Sequence, residues 1–172
     1  LFSLLIPIAA FAATTNRISN IVTSRPDTIL NKDTAPILRI YEKDLENTTS
    51  PQAFELMLNN AEWADNFNGQ GDFSALEKAI EESSSSVKTV KIIELSPRNI
   101  IVHIKEFNTE NDRIVEDAST GKATINVPIW ARLTEEGTAS VTIDPMESIV
   151  SSGTYTFATV VSGSSTVSVE KK

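Results

Sequence analysis

The feature that most constrains this 172-residue chain is a strict alternation between Lys122 and Leu133. Ala123, Ile125, Val127, Ile129, Ala131 and Leu133 fall at every second position. Successive side chains of a strand point to opposite faces, whereas a helix would scatter this apolar set around its axis. The run therefore calls for a sheet with one face on a core and with Thr124, Asn126, Trp130 and Arg132 on the other face. The same period governs residues 87–95 and 100–107, which flank Ser96, Pro97, Arg98 and Asn99, a hairpin turn by composition. Residues 36–42, 113–116, 138–143, 155–161 and 166–170 read as further short strands. Asp144-Pro145 and Ser162-Gly163-Ser164 break between them. The expectation is a mainly β chain built as an Ig-like antiparallel β-sandwich.

Two helices are expected to interrupt it, giving an α+β fold with a two-helix insertion. Residues 51–66 place Phe54, Met57, Leu58 and Ala61 at helical spacing, with Pro51 suited to a first turn. Residues 74–83 carry Leu76, Ala79 and Ile80 as a buried stripe, and Ser74 with Glu77 fits a capping box. The four serines from Ser83 to Ser86 read as a linker. Ile18, Ile21 and Val22 also have helical spacing, stopped by Arg25-Pro26-Asp27. The length suits an arm over residues 1–24 and a single β-rich globular domain over residues 25–172.

Residues 1–13 read LFSLLIPIAAFAA, and no charge occurs before Arg17. A membrane-spanning helix needs about 20 apolar residues, so this stretch is too short. Its length fits the apolar region of an export signal, and Ala10 and Ala12 fit the small-x-small cleavage rule. Three fates are open: removal as a signal peptide, retention as an apolar helix, or use as an extended arm that adds a strand to a neighbour. In the last case Pro7, lacking an N–H, must take a non-bonding position. All three place the protein outside the cell or at its surface.

A retained segment resembles that of type IV pilin-like subunits and of strand-exchanging surface filaments. The resemblance covers the N-terminal arm alone, and Leu5 stands where bacterial pilins usually carry a glutamate. It implies a polymerisation arm made of Leu1, Phe2, Leu4, Leu5, Ile6, Ile8 and Phe11. The implied partner is the protein itself, in a homopolymer that meets a membrane only transiently during export or assembly.

Other chemistry is sparse. A net charge of −8 and a pI near 4.7 oppose contact with phosphate backbones, so no nucleic-acid partner is expected. Cysteine is absent, which removes disulfides and thiolate metal sites. His103 is the one histidine, and no Gly-x-Ser-x-Gly elbow or phosphate-binding glycine loop occurs. The chain therefore reads as non-catalytic, with no cofactor beyond one calcium candidate. That candidate is an EF-hand-like layout with Asn66, Asn68, Gln70, Ser74 and Glu77 as oxygen ligands, Gly71 at the sharp turn and Asp72 beside it. Asn47 heads an N-x-T glycosylation sequon. Trp130, on the polar side of its strand, is a candidate for stacking on a sugar or for meeting a partner. The expected function is a structural subunit of a pilus-like filament or surface layer. The alternative is a secreted adhesin or carbohydrate-binding β-sandwich whose signal peptide is removed.

Overall fold

The computed structural model describes residues 14–42, 50–64 and 72–162. The apolar N-terminal segment, Asn47, Asn66, Asn68, Gln70 and the expected strand at 166–170 lie outside them. In chain order the strands are β1 (Thr15–Ile18), β2 (Val22–Ser24), β3 (Ile37–Glu42), β4 (Gln52–Asn59) and β5 (Ala61–Trp63). The helix α1 (Ser74–Ser83) follows, then β6 (Val87–Ser96), β7 (Asn99–Phe107), β8 (Thr109–Glu110) and β9 (Arg113–Ile114). The series closes with β10 (Ala123–Pro128), β11 (Ala131–Leu133), β12 (Gly137–Asp144) and β13 (Gly153–Val160).

One layer is a six-stranded sheet in the order β2-β13-β12-β4-β7-β6, and the other is the three-stranded sheet β1-β3-β10 extended by the ribbon β11-β5. Pairing is antiparallel except between β2 and β13. The sandwich is thus as expected, and its core is the alternating apolar set of both layers. Phe54, Leu56, Ile100, Val102, Val141 and Phe157 from one sheet meet Leu38, Ile40, Ile125 and Val127 from the other.

Only one of the two expected helices forms. Residues 52–63 are strands β4 and β5, with Phe54, Leu56 and Leu58 buried and Glu55 and Met57 turned away. An apolar residue every second position also produces pairs four apart, such as Phe54 and Leu58, so the helical spacing was ambiguous. A place between β7 and β12 in mid-sheet decides the outcome. Asn60 separates β4 from β5 with a left-handed φ of 62°, and its Nδ2 donates to the carbonyl of Thr138 at 3.2 Å. Strands β1 and β2, too, stand where a helical extension was expected.

The long alternating strand is broken as well. Ile129, Trp130 and Ala131 are buried in succession, so the period fails where the chain passes from β10 to β11. The Ile129 N–H donates to Pro36 and the Trp130 carbonyl accepts from Ala64. These bonds carry the strand from pairing with β3 to pairing with β5.

The helix α1 has the expected limits but not the expected cap. Asp72 Oδ1 accepts the Ser74 N–H at 2.9 Å, while Glu77 points away from the helix start. Leu76 and Ile80 are buried. Glu77 Oε2 accepts the N–H of Ile92 at 2.8 Å, and Glu81 Oε2 accepts that of Val90 at 2.9 Å. Four helical residues rise about 6.0 Å and two strand residues about 6.7 Å, so carboxylates four apart match edge amides two apart. The serine run seals the facing edge of the other sheet. Ser84 Oγ accepts the Asn126 N–H at 2.8 Å and Ser86 Oγ donates to the Thr124 carbonyl at 2.7 Å. The presumed linker is therefore part of a plug that satisfies polar groups on the edges of both layers.

Candidate partner-binding face

The inner face of the six-stranded sheet is core, and its outer face is read off the strand register. Ile93 of β6 lies opposite Ile101 of β7, which lies opposite Glu55 of β4, which lies opposite Asp144 of β12. In the next row Asn99, Met57, Thr142 and Thr154 follow one another across four strands. Ile93 is 47% exposed and Leu95, two residues on, is 53% exposed, while Ile101 and Met57 are half-buried. The result is a flat aliphatic strip across β6, β7 and β4, bordered by a hydroxyl-bearing region on β12 and β13. Polar groups along the border are mutually satisfied: Asn99 Nδ2 donates to Glu55 at 2.8 Å, and the Thr142 and Thr154 hydroxyls lie 2.8 Å apart.

The residues singled out from the sequence lie elsewhere. Trp130 is only 7% exposed and lines a groove beside α1 with Ile37, Ala75, Ala79 and Pro128, because the chain bends at Ile129. The chain's other tryptophan, Trp63, is 5% exposed. Neither tryptophan offers the open ring face that stacking on a sugar needs. Of the calcium candidates, Asp72, Ser74 and Glu77 are described, and both carboxylates have other work. Asp72 receives the Ser74 N–H, which together with the Ser74 hydroxyl holds its pKa below the ordinary carboxylate value. Glu77 caps Ile92 and sits 3.6 Å from the Lys91 ammonium. Strand β5, not a helix, lies on the N-terminal side of the candidate loop. Among the described residues no three His, Cys, Asp or Glu side chains gather to hold a metal ion. His103 lies opposite Lys91 and Ala53 and borders a shallow cleft with Gln52, Met146 and Glu147. Among the described residues no helix is long and apolar enough to cross a membrane.

The aliphatic strip went unnoticed in the sequence, although a signal for it exists. Ile92-Ile93 and Ile100-Ile101 place apolar side chains at both parities of their strands. A strand facing water on one side has no use for the second set.

No family model matches the chain, and no curated protein resembles it in sequence. Among solved structures, similarity extends to the sixth cohesin of Acetivibrio cellulolyticus scaffoldin B, in complex with a mutant Cel5 dockerin. That match has a TM-score of 0.40 and 12% identity, covering 84% of this chain and 99% of that one. A second, the CaDoc0917–CaCohA2 complex at pH 5.5, has a TM-score of 0.36 and 10% identity, covering 86% and 100%. Both of these solved structures are complexes with a different protein, in contrast to the homopolymer expected from the N-terminal segment.

Proposed function

We propose that this chain is a non-catalytic extracellular recognition module that binds a different protein through the outer face of its six-stranded sheet. The observation that carries this reading is the uncovered strip of Ile93, Leu95, Ile101 and Met57. Exposed aliphatic side chains beside half-buried ones on an outer sheet face mark protein contact, because leaving them in water forgoes burial worth about 25 cal/mol per Å². The apolar N-terminal segment supports export, and the inward tryptophans favour a protein ligand over a sugar.

The test is site-specific photo-crosslinking in the organism that makes the protein, with the reactive group at position 95 and, as a control, at exposed position 159. A single heterologous adduct from position 95, lost with Ile93→Asp and missing from position 159, is expected. Adducts of the protein with itself, or the same adducts from both positions, would overturn the proposal.

A further inference from the structure

The outer face of the three-stranded sheet has a different chemistry. Arg17 of β1 lies directly opposite Arg39 of β3, and Asn126 of β10 lies opposite Arg39 on its other side. Like charges directly opposite on neighbouring strands are destabilising. The described ion pairs are Lys78–Glu82, Lys91–Glu77 and Arg132 with Asp27 and Glu62, and neither Arg17 nor Arg39 joins one. Arg39 Nε and Asn126 Oδ1 are both buried without a hydrogen-bond partner. Asp117 lies close enough to feel the charge of Arg39 but forms no ion pair with it, and its Oδ1 receives the hydroxyl and N–H of Ser119. One pair further along the same strands and the same face, Ile37 stands opposite Pro128. There the surface dips into the groove lined by Ile37, Pro128, Trp130, Ala75 and Ala79, bordered by Lys32 and by Lys78, which is paired with Glu82.

Two guanidiniums side by side in a chain of net charge −8 are kept at a cost to folding, and an orphaned donor on one of them adds to it. A carboxylate at the outer ends of the two guanidiniums offsets the like-charge penalty, because guanidinium forks match carboxylate geometry. Adjacent same-face pairs on a strand are about 6.7 Å apart, the separation of residues i and i+2 in an extended peptide. We infer that this face binds an extended acidic segment of another polypeptide, with a carboxylate held by Arg39 and Arg17 and an aliphatic side chain two residues away in the groove beside Ile37 and Pro128. A polyuronate supplies the carboxylate but has no aliphatic side chain for the groove, so a peptide fits the whole surface better. This site is on the opposite layer from the aliphatic strip and stands whether or not that strip binds a protein.

The experiment is fluorescence anisotropy with a fluorescein-labelled heptapeptide carrying glutamate third, leucine fifth and serine elsewhere. Saturable binding at low ionic strength is expected, weakened about tenfold by Arg39→Gln and similarly by Arg17→Gln. Replacing the peptide's leucine by serine, or raising salt to about 0.3 M, should also weaken it, while Ile93→Asp should leave it unchanged. The thermal midpoint of Arg39→Gln should equal or exceed that of the parent, which a purely structural arginine would not allow. The inference is overturned if the peptide does not bind, or binds both arginine variants as well as the parent. Polygalacturonate binding where the peptide fails would overturn it in favour of an acidic glycan, and a lowered midpoint for Arg39→Gln would overturn it in favour of a structural role.

Discussion

Replacing Glu77 with alanine tests the idea that α1 seals the edge of the six-stranded sheet. The Glu77 side chain is 14% exposed and accepts the half-buried Ile92 N–H at 2.8 Å. A hydrogen bond to a charged acceptor contributes about 1.5–3 kcal/mol, and its loss leaves the Ile92 donor unmet. Glu77 also lies in the first turn of α1, where a carboxylate gains about 0.3–1 kcal/mol from the helix dipole. The contact with Lys91 adds little, since that ammonium is 63% exposed. Alanine returns a few tenths of a kcal/mol through helix propensity. The net expectation for Glu77→Ala is a loss of about 2 kcal/mol, or roughly 4–8 °C in thermal midpoint for a domain of this size. Glu81→Ala should cost less, about 1 kcal/mol, because removing an acid from the last turn relieves an unfavourable dipole interaction. Glu77→Gln keeps an acceptor and should recover about half of the loss. Calorimetry gives the midpoints, and hydrogen exchange should show the Ile92 amide opening ahead of its neighbours in β6. A Glu77→Ala protein within about 0.5 kcal/mol of the parent, with Ile92 still protected, would refute the capping argument.

Three further perturbations probe other parts of the fold. Phe54 is fully buried at mid-sheet, so Phe54→Ala should cost about 3–5 kcal/mol, read from the urea midpoint; a loss under about 1 kcal/mol would mean the two layers do not pack around it. Ser86→Ala removes the buried hydroxyl that donates to the Thr124 carbonyl, and should lower stability by about 1 kcal/mol; no loss would return the serine run to the status of a linker. Asp72 has a folded pKa below its ordinary 3.8, so its contribution is complete above that value and disappears as the pH falls through the lower folded one. Asp72→Asn should therefore flatten the acid limb of a melting-temperature profile taken from about pH 5 to about pH 2, and an unchanged slope would contradict the assignment.

The hairpin of β6 and β7, the strands β3 and β12 and the limits of α1 were legible because each depends on local periodicity and turn residues. What failed depended on neighbours distant in sequence. Phe54 and Leu58 satisfy both helix and strand spacing, and only the pairing of β4 with β7 and β12 separates the two. Ser84 and Ser86 looked like spacer because the Asn126 amide and Thr124 carbonyl they satisfy are about 40 positions away. Glu77 looked like a helix cap or a calcium ligand because its real partner, Ile92, belongs to the following strand. The opposition of Arg17 and Arg39 exists only through strand register, which no local pattern encodes. The outward Ile93 and Ile101 were visible as doubled isoleucines, but their meaning required knowing which parity faced the core.

The parallel pairing of β2 with β13 has a mechanical consequence. Val22 to Ser24 run alongside Ala158 to Val160 in the same direction, one strand near the beginning of the described chain and the other at its end. Tension entering ahead of β2 and leaving beyond β13 drives one strand lengthwise past the other. The rungs between them then share the load at once, whereas a hairpin pulled at its open end yields one rung at a time. Ser151 adds a tie at the entry point, donating its N–H to the Thr14 hydroxyl at 2.8 Å and its hydroxyl to the Thr14 carbonyl at 2.7 Å. Strung between two anchors in flowing liquid, the domain should resist stretch through shear rather than peel open, and single-molecule pulling would register this as one abrupt high-force rupture in place of a gradual release.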